Sequence, residues 1–273
     1  MTSVIRVDNL TKTFPGRRGQ TTIALRNVGF NIENQNFVCI LGESGCGKST
    51  LLNLLAQLEQ ADSGTIELFG KPLSREALKN TQMVFQDHSL LPWRNVLDNV
   101  ALSLEIRNIG KQERRLKALK VLERFGLEKF ARNHPYELSG GMRQRVAIAR
   151  AIMTEPEILF MDEPFGALDA HTRLYMQQEL LDFWLEAKRT VIFVTHSVEE
   201  AVFLSTQIIV LGGRPGKILA DIPNKLPYPR DRWTPDFGGY CKKLMEIMGD
   251  ECGLNKPAAP ERILQAPKNC NCC

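Results

Sequence analysis

The chain has 273 residues, 43% of them hydrophobic, which suffices for a folded core and excludes a protein that is disordered throughout. Its 35 lysines and arginines nearly balance 31 aspartates and glutamates, and no run of like charges suggests a nucleic-acid-binding arm. No apolar stretch approaches the ~20 residues that cross a bilayer, and the first ten residues lack the features of a signal peptide. We therefore expect a cytosolic protein that does not itself cross a membrane and has no nucleic-acid partner.

The first third of the chain predicts strands followed by a phosphate-binding arrangement. Imperfect apolar–polar alternation at 4–7 and 24–32 predicts half-buried strands, with a turn at 15–19 between them. The short apolar run 37–41 ends in a glycine-rich loop, after which leucines between Leu51 and Leu58 recur at helical spacing. Strand, loop and helix in this order are what a phosphate-binding loop requires.

The middle of the chain predicts an α/β sheet interrupted by helices. Apolar runs at 83–85, 158–161, 191–194 and 208–211 predict buried strands separated by helical patterns or loops. The strand signal vanishes from about 97 to 153. There Leu116, Leu119, Leu122 and Phe125 repeat on one predicted helical face. We interpret residues of about 87–153 as a helical insertion in the α/β core.

The end of the chain differs in composition. Prolines surround a short amphipathic piece at 244–248, so residues 230–273 are predicted to form a partly disordered appendage. Five of the seven cysteines fall in it, the last being Cys270, Cys272 and Cys273. Thiols are the expected state in a reducing cytosol, and we predict no disulfide framework.

The glycine-rich loop fits the pattern G-x-x-x-x-G-K-[ST] completely. Its sequence is Gly42-Glu43-Ser44-Gly45-Cys46-Gly47-Lys48-Ser49, followed by Thr50. Glycines let the backbone wrap around phosphate, and the following helix adds the positive end of its dipole. Lys48 is expected to reach the β and γ phosphates of ATP, and the Ser49 hydroxyl to ligate Mg²⁺. A glycine turn with an incidental lysine is the simpler alternative.

Two carboxylates follow the apolar run 158–161. An unpaired charge at the end of a buried strand is costly, and a magnesium ion would remove that cost. Asp162 is then expected near Mg²⁺, through water, while Glu163 polarises the attacking water. A strand that merely ends at a polar loop is the alternative.

A second glycine motif lies just upstream of that strand. It reads Leu138-Ser139-Gly140-Gly141-Met142-Arg143-Gln144-Arg145 and resembles the signature motif of ABC ATPases. Ser139 and the two glycines precede a predicted helix and form a second anion-binding N-terminus. One nucleotide does not need two such cradles in one subunit. We therefore expect two chains packed head to tail, with the signature of each at the phosphate loop of the other.

Three more positions match the same family in order, and Phe14 near the start of the chain is a fourth. Gln86 resembles the Q-loop glutamine of the Mg²⁺ shell, Asp169 the D-loop aspartate, and His196 the switch histidine that contacts the γ-phosphate. Phe14 stands where the family stacks an aromatic ring, commonly tyrosine, on adenine. A core side chain beside Leu10 is the alternative for Phe14.

The resemblance covers about residues 4–225. It implies an α/β P-loop NTPase of ABC type, with a RecA-like sheet core, an N-terminal β subdomain and an inserted helical subdomain. The ABC ATPase domain is expected at 1–229, with ATP and Mg²⁺ as cofactors. Lys48, Glu163 and His196 are the implied catalytic residues.

The stretch after Gln86 predicts a transporter. Residues 90–96 include Trp93 and lie where importers of this family receive a coupling helix, so a permease is expected to contact about Gln86–Val100. Packing of Trp93 into the helical subdomain is the alternative. Residues 90–93, 214–217 and 226–230 together resemble the nitrate, sulfonate, taurine and bicarbonate importer group. The resemblance implies an importer ATPase at the cytoplasmic face of the inner membrane, with a second identical or paralogous ATPase and a separate substrate-binding protein.

Two other functions stay open. A soluble ABC ATPase of iron–sulfur cluster assembly would share these motifs. The cysteines of the tail could instead make the ATPase responsive to metal or redox state, although they form no four-ligand C-x-x-C pattern. A DNA-repair ATPase is disfavoured because the helical insertion is too short for a long coiled coil.

Overall fold

The computed structural model describes residues 3–16 and 20–252. Its first sheet is antiparallel, in the order β2-β1-β4-β5. The strands are β1 (Ser3–Pro15), β2 (Thr21–Glu33), β4 (Ser63–Leu68) and β5 (Lys71–Pro72). The predicted strands at 4–7 and 24–32 are thus confirmed and lie within longer ones. Most of the predicted turn between them, residues 17–19, lies outside the described residues.

The second sheet has six strands in the order β10-β9-β3-β8-β7-β6. They are β3 (Phe37–Leu41), β6 (Thr81–Val84), β7 (Ile158–Asp162), β8 (Thr190–Thr195), β9 (Gln207–Gly212) and β10 (Lys217–Pro223). All neighbouring pairs are parallel except β9 with the edge strand β10. Every residue of β3, β7 and β8 is buried, which confirms the buried strands predicted there from apolar runs. The buried strand predicted at 83–85 was partly wrong, because β6 ends at Val84 and Phe85 is 38% exposed.

Helices cover both faces of the six-stranded sheet. Helix α1 (Lys48–Leu55) packs between the two sheets, and α6 (Ala170–Ala187), α7 (Val198–Leu204) and α8 (Pro235–Cys252) cover the other face. Alternate residues of the central strands pack into two hydrophobic cores, one on each face of this sheet. Val38 and Ile40 of β3 face the four-stranded sheet, whereas Phe37, Cys39 and Leu41 face the helices.

Four α-helices lie between β6 and β7, with two short 3-10 helices between the third and the fourth. The α-helices are α2 (Val96–Val100), α3 (Leu102–Ile106), α4 (Lys111–Arg124) and α5 (Gly140–Ile152). The predicted buried face of α4 was partly wrong, because Leu116 is 56% and Leu119 38% exposed. Leu122 and Phe125 are buried as predicted, and Ala118 is buried with them. At about 100° per residue, Leu116 lies roughly 120° around the helix from Leu122.

The C-terminal part described here packs against the sheet and helices. Helix α8 contacts α7 and β9, and Phe237 and Leu244 are buried in the helical core. Arg230, just beyond the predicted domain boundary, is also buried. The boundary itself stays a prediction. Cys270, Cys272 and Cys273 lie outside the described residues.

Between residues 3 and 252, apart from 17–19, no helix has both the length and the apolar character needed to span a bilayer.

Candidate functional site

The loop between β3 and α1 is built around glycines. Gly47 caps α1 with a φ of 102°, in the left-handed region that favours glycine. A Cβ at Gly42 would lie 2.2 Å from the carbonyl oxygen of Leu211, at the end of the neighbouring strand β9. The loop can therefore pass this close to β9 only with glycine at position 42. These constraints produce the turn that a phosphate cradle needs.

Lys48 lies across this loop and is only 4% exposed. Its Nζ donates hydrogen bonds of 2.9 Å to the carbonyl oxygens of Gly42 and Glu43. It also lies 3.5 Å from Oε1 of Glu163. Because the ammonium group is buried yet held by three oxygens, a fixed cation is available beside the loop.

Ser49 and Asp162 meet where α1 begins and β7 ends. The Ser49 hydroxyl donates a 3.0 Å hydrogen bond to Oδ1 of Asp162. Burial raises the pKa of Asp162, and the hydrogen bond from Ser49 opposes that shift. A buried carboxylate whose ionised form is costly, beside a hydroxyl, is an oxygen-only donor set of the kind that suits Mg²⁺.

Glu163 connects the loop to the strand β8. Its Oε2 lies 3.1 Å from Nδ1 of His196, the residue that follows β8, while Oε1 faces Lys48. Its backbone has a φ of 42°, which is uncommon for a residue with a side chain. Its N–H is held by the carbonyl oxygen of Val194 at 3.1 Å. The surrounding sheet thus fixes Glu163 in a strained conformation that aims its carboxylate at the loop.

Lys48, Ser49 and Glu163 border an open cavity of about 500 Å³, whereas Gly42, Asp162 and His196 are absent from its lining in the described part of the chain. The predicted residues that line it are Phe14, Ser44, Gly45, Gly47, Lys48, Ser49, Thr50, Gln86 and Glu163. Phe14 is half-buried at its wall, with Nζ of Lys12 4.9 Å from the ring centroid, and so is not the core side chain of the alternative. Glu43 and Cys46 line a smaller cavity of about 210 Å³, which they share with Ser44.

Some predicted residues lie apart from the cavity. Ser139, Gly140, Gly141 and Asp169 are absent from its lining in the described part of the chain. Ser139 is exposed and caps α5 by accepting from the N–H of Met142 at 3.3 Å. Asp169 caps α6 in the same way through Thr172 at 3.0 Å. Both helix N-termini are therefore formed but have no contact with the phosphate loop of their own chain in this cavity.

Sequence reasoning missed one wall of the cavity. It is formed by Thr22, Ile23 and Ala24 of β2 together with Arg214 and Pro215. Nη2 of Arg214 donates a 2.9 Å hydrogen bond to the carbonyl oxygen of Ser44. The Arg-Pro-Gly run was a signal for this wall, since it follows β9, whose carboxyl end lies beside the phosphate loop.

Comparison with known proteins agrees with this geometry. The family described as ABC transporter matches residues 25–166. An uncharacterised ABC transporter ATP-binding protein of Methanocaldococcus jannaschii is 46% identical over 247 residues, which cover 90% of this chain and 92% of the relative. A taurine import ATP-binding protein of Rhizobium johnstonii is 49% identical, with 80% of this chain and 82% of the relative covered.

Other relatives extend the comparison. An aliphatic sulfonates import ATP-binding protein of Bacillus cereus is 40% identical over 89% of this chain and 94% of its own length. A solved dimer of an ATP-binding cassette in a post-hydrolysis state with ADP and Pi has a TM-score of 0.74 and 34% identity, covering 82% of this chain and all of that one. The chain belongs to the ABC transporter family and is an ATPase cassette of that family. The predicted fold class is confirmed.

Proposed function

We propose that this chain is the ATP-hydrolysing subunit of an ABC importer for small anions. The observation that carries the proposal is that one cavity is lined by a buried cation, Lys48, by the carboxylate of Glu163 and by the Ser49 hydroxyl, which is bonded to Asp162. These are the groups that phosphoryl transfer to water requires. The names of the taurine and sulfonate relatives support the importer class and the anionic cargo.

ATP would occupy the cavity with its phosphates on the loop and its base against Phe14. Ser49, Gln86 and Asp162 are the residues that would hold Mg²⁺, which supplies neutralising charge to the phosphates when bound. Lys48 would move from the loop carbonyl oxygens toward phosphate oxygens. The Phe14 ring offers a π face on which adenine can stack.

Hydrolysis would use the pair of Glu163 and His196. Glu163 is positioned to accept a proton from the attacking water at one carboxylate oxygen. His196 contacts the other oxygen at 3.1 Å and is 56% exposed, so its ring would be accessible to a γ-phosphate bound beside Glu163. Together they would orient the water in line with the bond that breaks.

A second ATPase subunit would complete the site. Ser139 caps α5 on an exposed part of the surface and lies outside its own chain's cavity. The N-terminus of α5 is therefore available to the nucleotide of another subunit, where its N–H groups would stabilise charge on the transferring phosphoryl group.

The permease would dock beside the Q-loop residue. Trp93 and Ile106 are each 72% exposed, and Ile106 lines a groove of about 500 Å³ together with Leu58 and Phe85. The exposure of Trp93 contradicts the alternative in which it packs into the helical subdomain. Exposed apolar groups of this size are typical of protein interaction surfaces.

The loop that carries Trp93 is held in a fixed shape by Asn99, whose side chain is buried. Its Oδ1 accepts from the N–H of Leu91 at 2.8 Å, and its Nδ2 donates to the carbonyl oxygens of Leu91, Arg94 and Asn95 at 3.0–3.1 Å. Ordering this loop in advance lowers the entropic cost of docking. We therefore infer that about Gln86–Val100 forms the permease contact, at the cytoplasmic face of the inner membrane.

The cargo proposal favours sulfonates among the anions expected from the sequence, which also include nitrate and bicarbonate. Taurine is itself a sulfonate, so both named groups of relatives share one chemistry. A separate substrate-binding protein would select the cargo. The test is growth of a deletion strain on taurine or an alkanesulfonate as the only sulfur source, with sulfate as the control.

Loss of growth on sulfonates, restored by the wild-type gene and not by Glu163→Gln, is the expected result. Nitrate and bicarbonate uptake in the same strain would assign the cargo among the four. A deletion that spares uptake of all four anions would overturn the cargo proposal, while purified ATPase activity tests the enzyme separately.

A further inference from the structure

Helix α7 begins directly after the segment that carries His196, and its far end is enclosed by residues 224–232, which we call the C-terminal clamp. The last carbonyl oxygens of a helix have no helical N–H partner. Here the clamp supplies partners for four consecutive ones, from Val202 to Ser205. The bonds run from Asn224 Nδ2 to Val202 (2.9 Å), from Tyr228 OH to Leu204 (2.7 Å), and from Arg230 Nη1 to Val202 (2.7 Å), Phe203 (3.1 Å) and Ser205 (2.7 Å).

Arg230 makes this end of the clamp rigid. It is 8% exposed, and its guanidinium carbon lies 4.0 Å from the ring centroid of Tyr228. Two further hydrogen bonds join it to the carbonyl oxygen of Leu226. A cation at a helix C-terminus also interacts favourably with the helix dipole. The end of α7 is therefore fixed against the C-terminal segment.

Arg232 of the clamp connects to the beginning of α7 through a chain of side-chain bonds. Its Nη2 donates to Oε1 of Gln177 at 2.5 Å, and Nε2 of Gln177 donates to Oε1 of Glu200 at 3.1 Å. Oε2 of Glu200 accepts from the hydroxyl of Thr195 at 2.6 Å. The Thr195 hydroxyl in turn accepts from the N–H of Ser197 at 3.0 Å. The chain of bonds therefore ends on the two residues that flank His196.

Burial makes these bonds specific. Gln177, Glu200 and Thr195 are 3%, 7% and 2% exposed, so water cannot readily replace a lost partner. Arg232 is held in turn by α7, because its guanidinium carbon lies 3.5 Å from the ring centroid of Phe203. A change at Arg232 leaves the amide of Gln177 without its fixing donor. The side chains of Glu200 and Thr195 are then no longer held in one conformation by the bonds from Gln177.

We propose that Arg232 is a positioning residue for ATP hydrolysis, acting on His196 through this chain of bonds. The inference rests on the proposed role of His196 and adds to it a residue 36 positions away in the C-terminal segment. His196 must stay 3.1 Å from Glu163 to orient it, and displacement of a reacting group by about 1 Å can cost about 10² in rate. The binding of ATP is expected to depend less on this geometry, because Lys48 is held by the carbonyl oxygens of Gly42 and Glu43 and by Glu163.

The first test compares Arg232→Met with the full-length wild type. Methionine keeps apolar volume on Phe203 but removes the donors. We expect kcat to fall about 10-fold or more, while KM and the Kd for ATP stay within about twofold. Arg232→Lys, which keeps a cation and a donor, should recover part of kcat.

Arg124→Met is the matched control. Arg124 is also partly buried and contacts the same helix as Gln177, through ion pairs with Glu179 and Glu186. It has no bond to the chain that reaches His196. Its replacement should leave kcat unchanged. An equal fall in kcat for both variants would overturn the proposal, since the loss of any arginine that contacts α6 would then suffice.

A double-mutant cycle separates positioning from general stability. In a His196→Ala background, measured in single turnover, Arg232→Met should have less than about a twofold effect. The ring signals of His196 in a ¹H–¹³C spectrum should shift in Arg232→Met and not in Arg124→Met. The same loss in both backgrounds, or an unshifted His196 signal, would overturn the proposal.

Two further outcomes keep the result decisive. If His196→Ala hydrolyses ATP at the wild-type rate, the role of His196 fails first and the inference fails with it. If Arg232→Met does not fold, Gln177→Met removes the same link from α6 and must give the same loss of kcat and the same shift. Unchanged activity and spectra in Gln177→Met would overturn the proposal.

Discussion

The hydroxyl of Ser49 and Oδ1 of Asp162 are 3.0 Å apart although 113 positions separate them in the chain. Ser49 is in the first turn of α1, which follows β3, and Asp162 ends β7. Both strands are parallel neighbours of β8, so their carboxyl ends lie at the same edge of the sheet. The strand order of the sheet therefore brings Ser49 and Asp162 together.

Asp162→Asn should uncouple nucleotide binding from Mg²⁺. Removing Mg²⁺ with a chelator should weaken ATP binding to the wild type by about 10-fold or more, because the ion neutralises the charge of the phosphates that it joins to the protein. The variant should bind ATP with nearly the same Kd with and without Mg²⁺, as measured by calorimetry. Asp236→Asn, an exposed change on α8, is the control. A chelator effect of equal size in both variants would contradict the assignment.

Glu163→Gln should retain ATP binding and lose turnover. A positioned general base contributes about 10² to 10⁴ in rate, and the amide cannot accept the proton. Phosphate release and ATP binding measured on the same preparation will check both parts. Glu76→Gln, which changes an exposed side chain, should behave as wild type. Near-normal hydrolysis by Glu163→Gln would remove this residue from the catalytic role.

Trp93→Asp should leave the isolated ATPase folded and active but weaken its attachment to the permease. A large exposed aromatic at the centre of an interface often accounts for a loss of about 10-fold or more in affinity. The fraction that co-purifies with the permease is the measurement. Trp233→Asp is a matched control, because Trp233 is 92% exposed on the C-terminal segment. Equal retention of both variants by the permease would exclude Trp93 from the contact.

Linked dimers should reveal whether each site is shared between chains. Lys48→Ala in one half and Ser139→Arg in the other place both defects in one shared site and leave the second intact. Both substitutions in the same half damage both sites. Loss of one phosphate-stabilising donor commonly costs about 10² to 10³, so the first arrangement should hydrolyse ATP faster.

The comparison requires active wild-type linked dimers, folded variants, identical halves in the natural assembly and a site that can turn over alone. Steady-state hydrolysis by the two arrangements is the measurement. Equal rates under these conditions would mean that Ser139 acts within its own chain or has no catalytic part.

Local patterns made much of the site predictable. The phosphate loop and the Asp162–Glu163 pair are contiguous in the sequence, and each follows an apolar run that had to be a buried strand. Glycine at 42 and 47 was interpretable from sequence alone, because a backbone that wraps around phosphate needs residues without a side chain. The comparisons then confirmed the family, whereas the roles of individual site residues stay predictions.

Other features could not be read from local patterns. The wall formed by Arg214 depends on β9 lying beside β3, which is a property of strand order. Strands β4 and β10 were missed because each has a single buried residue and gives no long apolar run. The face of α4 was misassigned because Ala118, a small side chain, marks its buried centre more accurately than Leu116.

The left-handed backbone of Glu163 has a consequence for protein engineering. A side chain at a φ of 42° costs on the order of 1–3 kcal/mol that glycine would largely avoid. Selection for thermal stability alone would therefore favour glycine at this position. The selected variants would be more stable but would lack the carboxylate. A screen for stabilised variants of this chain should therefore also measure ATP hydrolysis, because stability and activity favour different residues at this position.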